Sequence, residues 1–174
     1  MNFSIVDKRV LVLGKTNSGK SVLIKYLLNH FQHEFKKVFV ICPTEKINSF
    51  YSNLVPEENI FSEYDDNWII TLIKKMTELK SKDKGSKDKI LLILDDIGSD
   101  AVLSKMMGFK MLCVRGRHVN ISVMISAQYL YQLPPIARAN MCYIVVGQSN
   151  QQSSQLLADE FLICLLYTSD AADE

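Results

Sequence analysis

No stretch of this chain is long and apolar enough to suggest a membrane span. The least polar region, roughly residues 121–137, is interrupted by Gln128, Gln132, Pro134 and Pro135. The opening "MNFSIVDKR" has no apolar core of the signal-peptide kind, so an intracellular protein is expected. Cysteine is scarce: Cys42, Cys113, Cys142 and Cys164 form no CxxC pair, and reduced, buried thiols are expected. His30, His33 and His118 stand apart from any Cys or carboxylate set at zinc spacing, which argues against a zinc site. Neither sign of charge dominates, with 20 basic and 19 acidic residues and a net charge of +1. There are no internal repeats. Glycine is also sparse, with 7 in 174 residues, so each one carries information.

What is present is ordinary globular material, 48% hydrophobic and 22% charged, enough for one domain with its own core. Short apolar runs read as buried strands: "RVLVLG" (9–14), "VFVICP" (38–43), "ILLIL" (90–94), "ISVMISAQ" (121–128) and "YIVVG" (143–147). Between them, 20–31 is apolar around most of a helix, and 66–80 places Trp68, Ile69, Leu72, Ile73, Met76 and Leu79 on one face. Residues 44–61 read as an irregular connection. The Met-rich stretch after Gly98 is a helix candidate weakened by Gly108, and a last helix begins in "QSSQLLADEFLI". Unbroken apolar strands alternating with helices predict a three-layer α/β domain with a mostly parallel central sheet.

At the first strand–helix junction stands "GKTNSGKS", which fits the phosphate-binding loop G-x-x-x-x-G-K-[ST]. Glycines let the backbone turn its N–H groups toward phosphate oxygens, and the helix N-terminus adds its positive dipole. Gly14, Lys15, Thr16, Asn17, Ser18, Gly19, Lys20 and Ser21 are therefore the candidate nucleotide-binding residues. Lys20 reaches the β- and γ-phosphates of ATP, and the Ser21 hydroxyl ligates Mg²⁺. The motif sits after a strand and before a helix, where its chemistry requires it.

Downstream, "LLILDDIG" (91–98) ends an apolar strand in two adjacent carboxylates, which would repel without a partner. A Walker B role supplies one: Asp95 holds the Mg²⁺ that Ser21 also touches. Asp96 falls where P-loop ATPases of the additional-strand class place the water-polarising carboxylate, there usually Glu. A helix N-cap or a supporting hydrogen-bond acceptor is its plainer reading. Gln128, at the carboxyl end of a buried strand, is a candidate γ-phosphate sensor or a mere strand-end hydrogen bond. Arg115 and Arg117 are candidate arginine fingers, with solvated surface residues the alternative, and Arg138 is a weaker candidate. No N-K-x-D motif points to guanine, and the polar loop 80–89 has no Arg of the kind kinase lids use. That loop contributes to seven lysines against three acids across 74–89, a possible phosphate-backbone contact or simply a solvated segment.

The last eleven residues, "CLLYTSDAADE", read like the translation of a transposase adapter from a sequencing library. On that reading 1–163 is an ATPase domain incomplete at its C-terminus, and 164–174 is not native. Setting aside Asp170, Asp173 and Glu174 leaves 20 bases and 16 acids, a net charge of +4.

In order along the chain, "VLGKTNSGKS", "LLILDDIG", "GRHVNISVMISAQ" and "LPPIARAN" resemble the genome-packaging ATPases of large DNA viruses, poxvirus-type and virophage-type, within the FtsK/HerA superfamily. The resemblance covers about residues 9–150. It implies a P-loop fold of the additional-strand class. It also implies ATP–Mg²⁺ at Lys20, Ser21 and Asp95, water activation by Asp96, a polar sensor at Gln128, and a finger at Arg115 or Arg117. The implied partners are double-stranded DNA, further copies of the chain in a ring, and capsid or portal-type viral proteins. The implied location is the host cytoplasm or viral factory, with association with the virion a further expectation. Competing readings are a DNA translocase of a mobile element, a small-molecule or nucleotide kinase, and a nucleotide-dependent scaffold that scarcely hydrolyses ATP.

Overall fold

A computed structural model describes residues 3–83, 88–97 and 100–162. Six strands form one sheet, β1 (Arg9–Leu13), β2 (Lys37–Ile41), β3 (Ile60–Phe61), β4 (Ile90–Asp95), β5 (Ile121–Ala127) and β6 (Tyr143–Val146). Their order is β3-β2-β4-β5-β1-β6, and every neighbouring pair is parallel. The expectation of a mostly parallel sheet is thus met in full. The strand bearing the paired aspartates, β4, is separated from the phosphate-loop strand β1 by β5, which is the additional-strand arrangement.

Alternate side chains of each strand enter two cores. Val10, Val12, Leu91, Ile93 and Met124 face one layer with Ile24, Leu27 and Leu28 of α1 (Lys20–Phe31). Leu11, Leu13, Leu92, Leu94, Val123 and Ile125 face the other, against α3 (Asp66–Lys82) and α5 (Met107–Arg115). The irregular span 44–61 holds more order than its sequence suggests: a short α2 (Glu45–Asn48) and the two-residue β3, too brief to leave a periodic signal.

Gly108 does not weaken a long helix; it starts a second one. Past α4 (Asp100–Leu103), α5 begins at Met107, and the Asp66 carboxylate accepts from the N–H groups of Gly108 (3.0 Å) and Phe109 (3.2 Å). A Cβ on Gly108 would come within 2.7 Å of the Asp66 carbonyl and carboxylate oxygens. Two short helices, α6 (Pro135–Arg138) and α7 (Gln151–Leu157), complete the described elements. The π-helical turn Ala158–Leu162 continues α7. Cys42 and Cys113 are buried as expected, but Cys142 is exposed, because it enters the sheet's edge strand β6, whose residues are only partly covered. Burial pushes the Cys113 thiol up to about 12, with Arg9 opposing. Part of the lysine-rich loop 80–89 and all of 164–174 lie outside the described residues.

Candidate functional site

The carboxyl edge of the sheet gathers the loops after β1, β4, β5 and β6. The phosphate loop is rooted by main-chain bonds on both flanks. Gly14 N–H donates to the Ala127 carbonyl (3.1 Å) on β5, and Lys15 N–H donates to the Gln148 carbonyl (2.8 Å) after β6. A Cβ on Gly14 would meet Ser18 Oγ at 2.5 Å and Ser18 Cβ at 3.3 Å, so any larger residue there would have to push the Ser18 side chain aside. Asn17 (φ 62°) and Gly19 (φ 84°) are left-handed, which Asn tolerates and Gly adopts freely.

The helix that follows leaves its first turn open. α3 is capped by Asp65, whose side chain accepts from Asn67 and Trp68 N–H, and α7 is capped by Asn150. By contrast α1 has neither a side-chain cap nor an acidic residue in its first turn. Its leading N–H groups and positive dipole are left for an anion, and no carboxylate competes. Lys20 Nζ lies over the same loop, donating to the Lys15 carbonyl (3.0 Å). Ser18 Oγ is buried without a hydrogen-bond partner. Uncapped amides, an orphan hydroxyl and a lysine around one tight turn fit a polyphosphate.

Across β5 from the loop stand the two aspartates. Asp95 pairs with Ser126, and Ser126 with Val12, so Asp95 lies two strand spacings, or roughly 10 Å, from the root of the phosphate loop. The neighbours differ in surroundings. Asp95 is buried, and its carboxylate accepts from the Tyr51 hydroxyl (2.7 Å, Oδ2) and, on Oδ1, from the Ser126 hydroxyl. Asp96 is exposed, adopts φ 57°, and accepts from Gln128 Nε2 (3.4 Å). The Ser126 hydroxyl also accepts from Asp96 N–H (3.1 Å), so one serine on the inserted strand holds both residues. The left-handed backbone helps explain the choice of Asp over Glu at 96, since short Asp and Asn side chains are enriched there. The Tyr51 hydroxyl is raised well above its ordinary pKa, first by burial and then by the Asp95 charge, and stays a donor. A serine hydroxyl and a carboxylate, Ser21 and Asp95, are the hard oxygen donors that suit Mg²⁺.

The structure brings the phosphate loop, Asp95, Asp96 and Gln128 to one edge, but not the arginines. Arg115 and Arg117 are exposed just before β5 begins, a full strand of 7 residues, roughly 20 Å, from that edge. Neither reaches this chain's own phosphate loop. Arg138 is occupied elsewhere, paired with Glu160 (2.7 Å) and donating to the Leu133 carbonyl (2.6 Å).

Comparison with known proteins agrees with this arrangement. The sequence profile described as "Poxvirus A32 protein" matches residues 3–163. The chain belongs to the poxvirus A32 family. Among curated relatives, it is 30% identical over 142 residues to "Uncharacterized protein 015R" of Frog virus 3, covering 82% of this chain and 44% of the relative. It is 24% identical over 141 residues to "DNA packaging protein OPG160" of vaccinia virus, covering 78% of this chain and 51% of the relative. The chain thus spans about half the length of these relatives. Its fold resembles the genome-packaging NTPase B204 of Sulfolobus turreted icosahedral virus 2 in complex with AMP, with a TM-score of 0.65 and 17% identity over 91% of this chain and 84% of that one.

In this A32-family chain, sequence reasoning passed over Ser126, Tyr51 and Glu45. Ser126 had a signal: a serine inside the apolar run "ISVMISAQ", fully enclosed, invites the question of what it bonds. Tyr51 and Glu45 had none, because they sit in a non-periodic segment: Tyr51 meets Asp95 only through the fold, and Glu45 meets Tyr51.

Proposed function

We propose that this chain is the ATPase part of a motor that hydrolyses ATP to drive double-stranded DNA, in the packaging of a viral genome. The observation that carries hydrolysis is the pair Asp95–Asp96, bridged by Ser126 and set across β5 from an uncapped phosphate-loop helix. DNA and packaging rest on membership of the A32 family and on the likeness to the vaccinia DNA packaging protein OPG160.

In this reading the amides of residues 14–21 and Lys20 bind the ATP phosphates. Ser21 and Asp95 would hold Mg²⁺, which when bound neutralises phosphate charge. Asp96 orients the attacking water and takes its proton as the γ-phosphoryl group departs from ADP, and Gln128 keeps Asp96 in place through its amide. Arg115 or Arg117, remote from this chain's own loop, would act on the nucleotide of an adjacent copy. A ring of copies is therefore part of the proposal, as are capsid or portal-type partners and a place in viral assembly inside the host cell. Among the described residues no helix is long and apolar enough to cross a membrane.

The test is the ATPase rate of the native-length protein with and without double-stranded DNA. DNA is expected to raise the rate, with the stimulation shrinking as salt is increased. A monomer whose turnover ignores DNA would instead support a kinase or other small-molecule enzyme.

A further inference from the structure

We propose that the turn carrying Tyr51 is a positioning element for the metal carboxylate: Tyr51 aims Asp95, and Glu45 holds Tyr51 in place. This inference rests on the reading of Ser21 and Asp95 as the Mg²⁺ site. Tyr51 is fully buried, and its hydroxyl donates to Asp95 Oδ2 at 2.7 Å. Ser126 donates to the other oxygen. The terminal torsion of an Asp side chain is soft, so an unrestrained carboxylate would swing widely. Each carboxylate oxygen has two lone pairs. Tyr51 and Ser126 take one on each, which fixes the plane and leaves the remaining lone pairs for the metal or its water. Hydrogen bonds to an ionised acceptor are the strong ones, and they bind orientation as well as charge.

The turn is built to hold the phenol there. Glu45 Oε1 accepts from Tyr51 N–H (2.7 Å) and from Ser52 N–H (3.0 Å), gathering both amides onto one buried oxygen. Glu45 is 7% exposed, and its second oxygen is buried with no hydrogen-bond partner. A buried carboxylate left half-satisfied costs stability, and an amide or a shorter side chain would avoid the charge. Its presence is explained if the exact seat of Tyr51 matters more than that cost. The same turn also touches the phosphate-loop helix: Lys25 of α1 donates to the Phe50 carbonyl (3.1 Å) and stands 4.7 Å from the centre of the Phe50 ring. One turn therefore reaches both Asp95 and the helix that begins at Lys20.

The experiment compares wild type, Tyr51→Phe and Glu45→Gln in the native-length protein, reading binding rather than turnover. A fluorescent, non-hydrolysable ATP analogue is titrated first in EDTA and then against magnesium chloride, and melting is followed alongside. Tyr51→Phe keeps the ring and removes only the donor. Its metal-free nucleotide affinity is expected to match wild type, while the Mg²⁺ concentration for half-maximal enhancement rises about tenfold, the usual scale for losing a group that orients a metal ligand. Glu45→Gln should move the same midpoint in the same direction by less, and it carries the comparison if Tyr51→Phe fails to melt cooperatively. A lowered melting temperature with an unmoved Mg²⁺ midpoint in the variants would make the turn purely structural and overturn the proposal. Wild type that binds the analogue with no Mg²⁺ dependence would overturn the metal reading itself, and the positioning role with it.

Discussion

The two edges of the sheet are built differently. At the carboxyl edge, groups from the loops after five strands are tied to one another: Ser126 to both aspartates, Gln128 to Asp96, Tyr51 to Asp95, and Lys15 to Gln148. At the amino edge, Arg9 is buried and donates to the Asn140 carbonyl, but Lys36, Arg115 and Arg117 lie on the surface. Lys36 pairs with Asp88 at 2.6 Å, yet the lysine side chain is 62% exposed, and Arg115 and Arg117 stand in solvent. Exposed pairs of this kind contribute about 0–1 kcal/mol each and do little to fix a side chain. One edge is preorganised for chemistry inside a single chain. The other is a surface whose exposed arginines, Arg115 and Arg117, can act only on something that comes to it.

The contrast can be tested from both sides. Lys20→Ala, at the heart of the preorganised edge, should cost the most: hydrolysis falls about a thousandfold or more, with weakened nucleotide binding, measured by steady-state kinetics. Arg117→Ala, on the remote edge, is expected to lower turnover about a thousandfold in the pure oligomer. In mixed oligomers it should depress wild-type neighbours too; loss confined to the mutant's own site would place Arg117 outside any role in trans. Gly108 packs on Asp66 and touches none of the phosphate-loop residues, so in Gly108→Ala the clash with Asp66 should destabilise the fold by about 1–3 kcal/mol in denaturant melts while nucleotide affinity is kept. The smallest effect concerns alkali. Cys113 loses its proton near 9.0 when unfolded but holds it to about 12 when folded, so its contribution is fully present below pH 9 and fades as pH rises toward 12. Melting temperature should therefore drop over that range, and Cys113→Ala should flatten the drop.

Much of the fold could be read from the residues because the sheet is buried on both faces. That burial makes β1, β4 and β5 continuous apolar runs, and it leaves polar residues at their ends conspicuous. The phosphate loop was legible for a related reason: its glycines, lysine and serine are set by local backbone chemistry within eight consecutive positions. The same holds for the Asp95–Asp96 pair. What escaped was non-local. β3 has two residues, too few for a period, and Tyr51 reaches Asp95 across 44 positions of sequence. Gly108 looked like a flaw in one helix because the carboxylate that makes it necessary, Asp66, is 42 residues away. Arg115 and Arg117 were legible as cations, but their distance from the loop needed the strand directions.

The central claim is a division of labour between neighbouring carboxylates, with Asp95 for the metal and Asp96 for water. Its most direct measurement is Mg²⁺-dependent nucleotide binding and single-turnover hydrolysis in Asp95→Asn and Asp96→Asn side by side. Asp96→Asn is predicted to bind Mg²⁺ and ATP like wild type while hydrolysis drops about a hundredfold or more. Asp95→Asn is predicted to lose the Mg²⁺-dependent part of binding as well. Two variants that fail in the same way, or an Asp96→Asn enzyme that turns over normally, would contradict it.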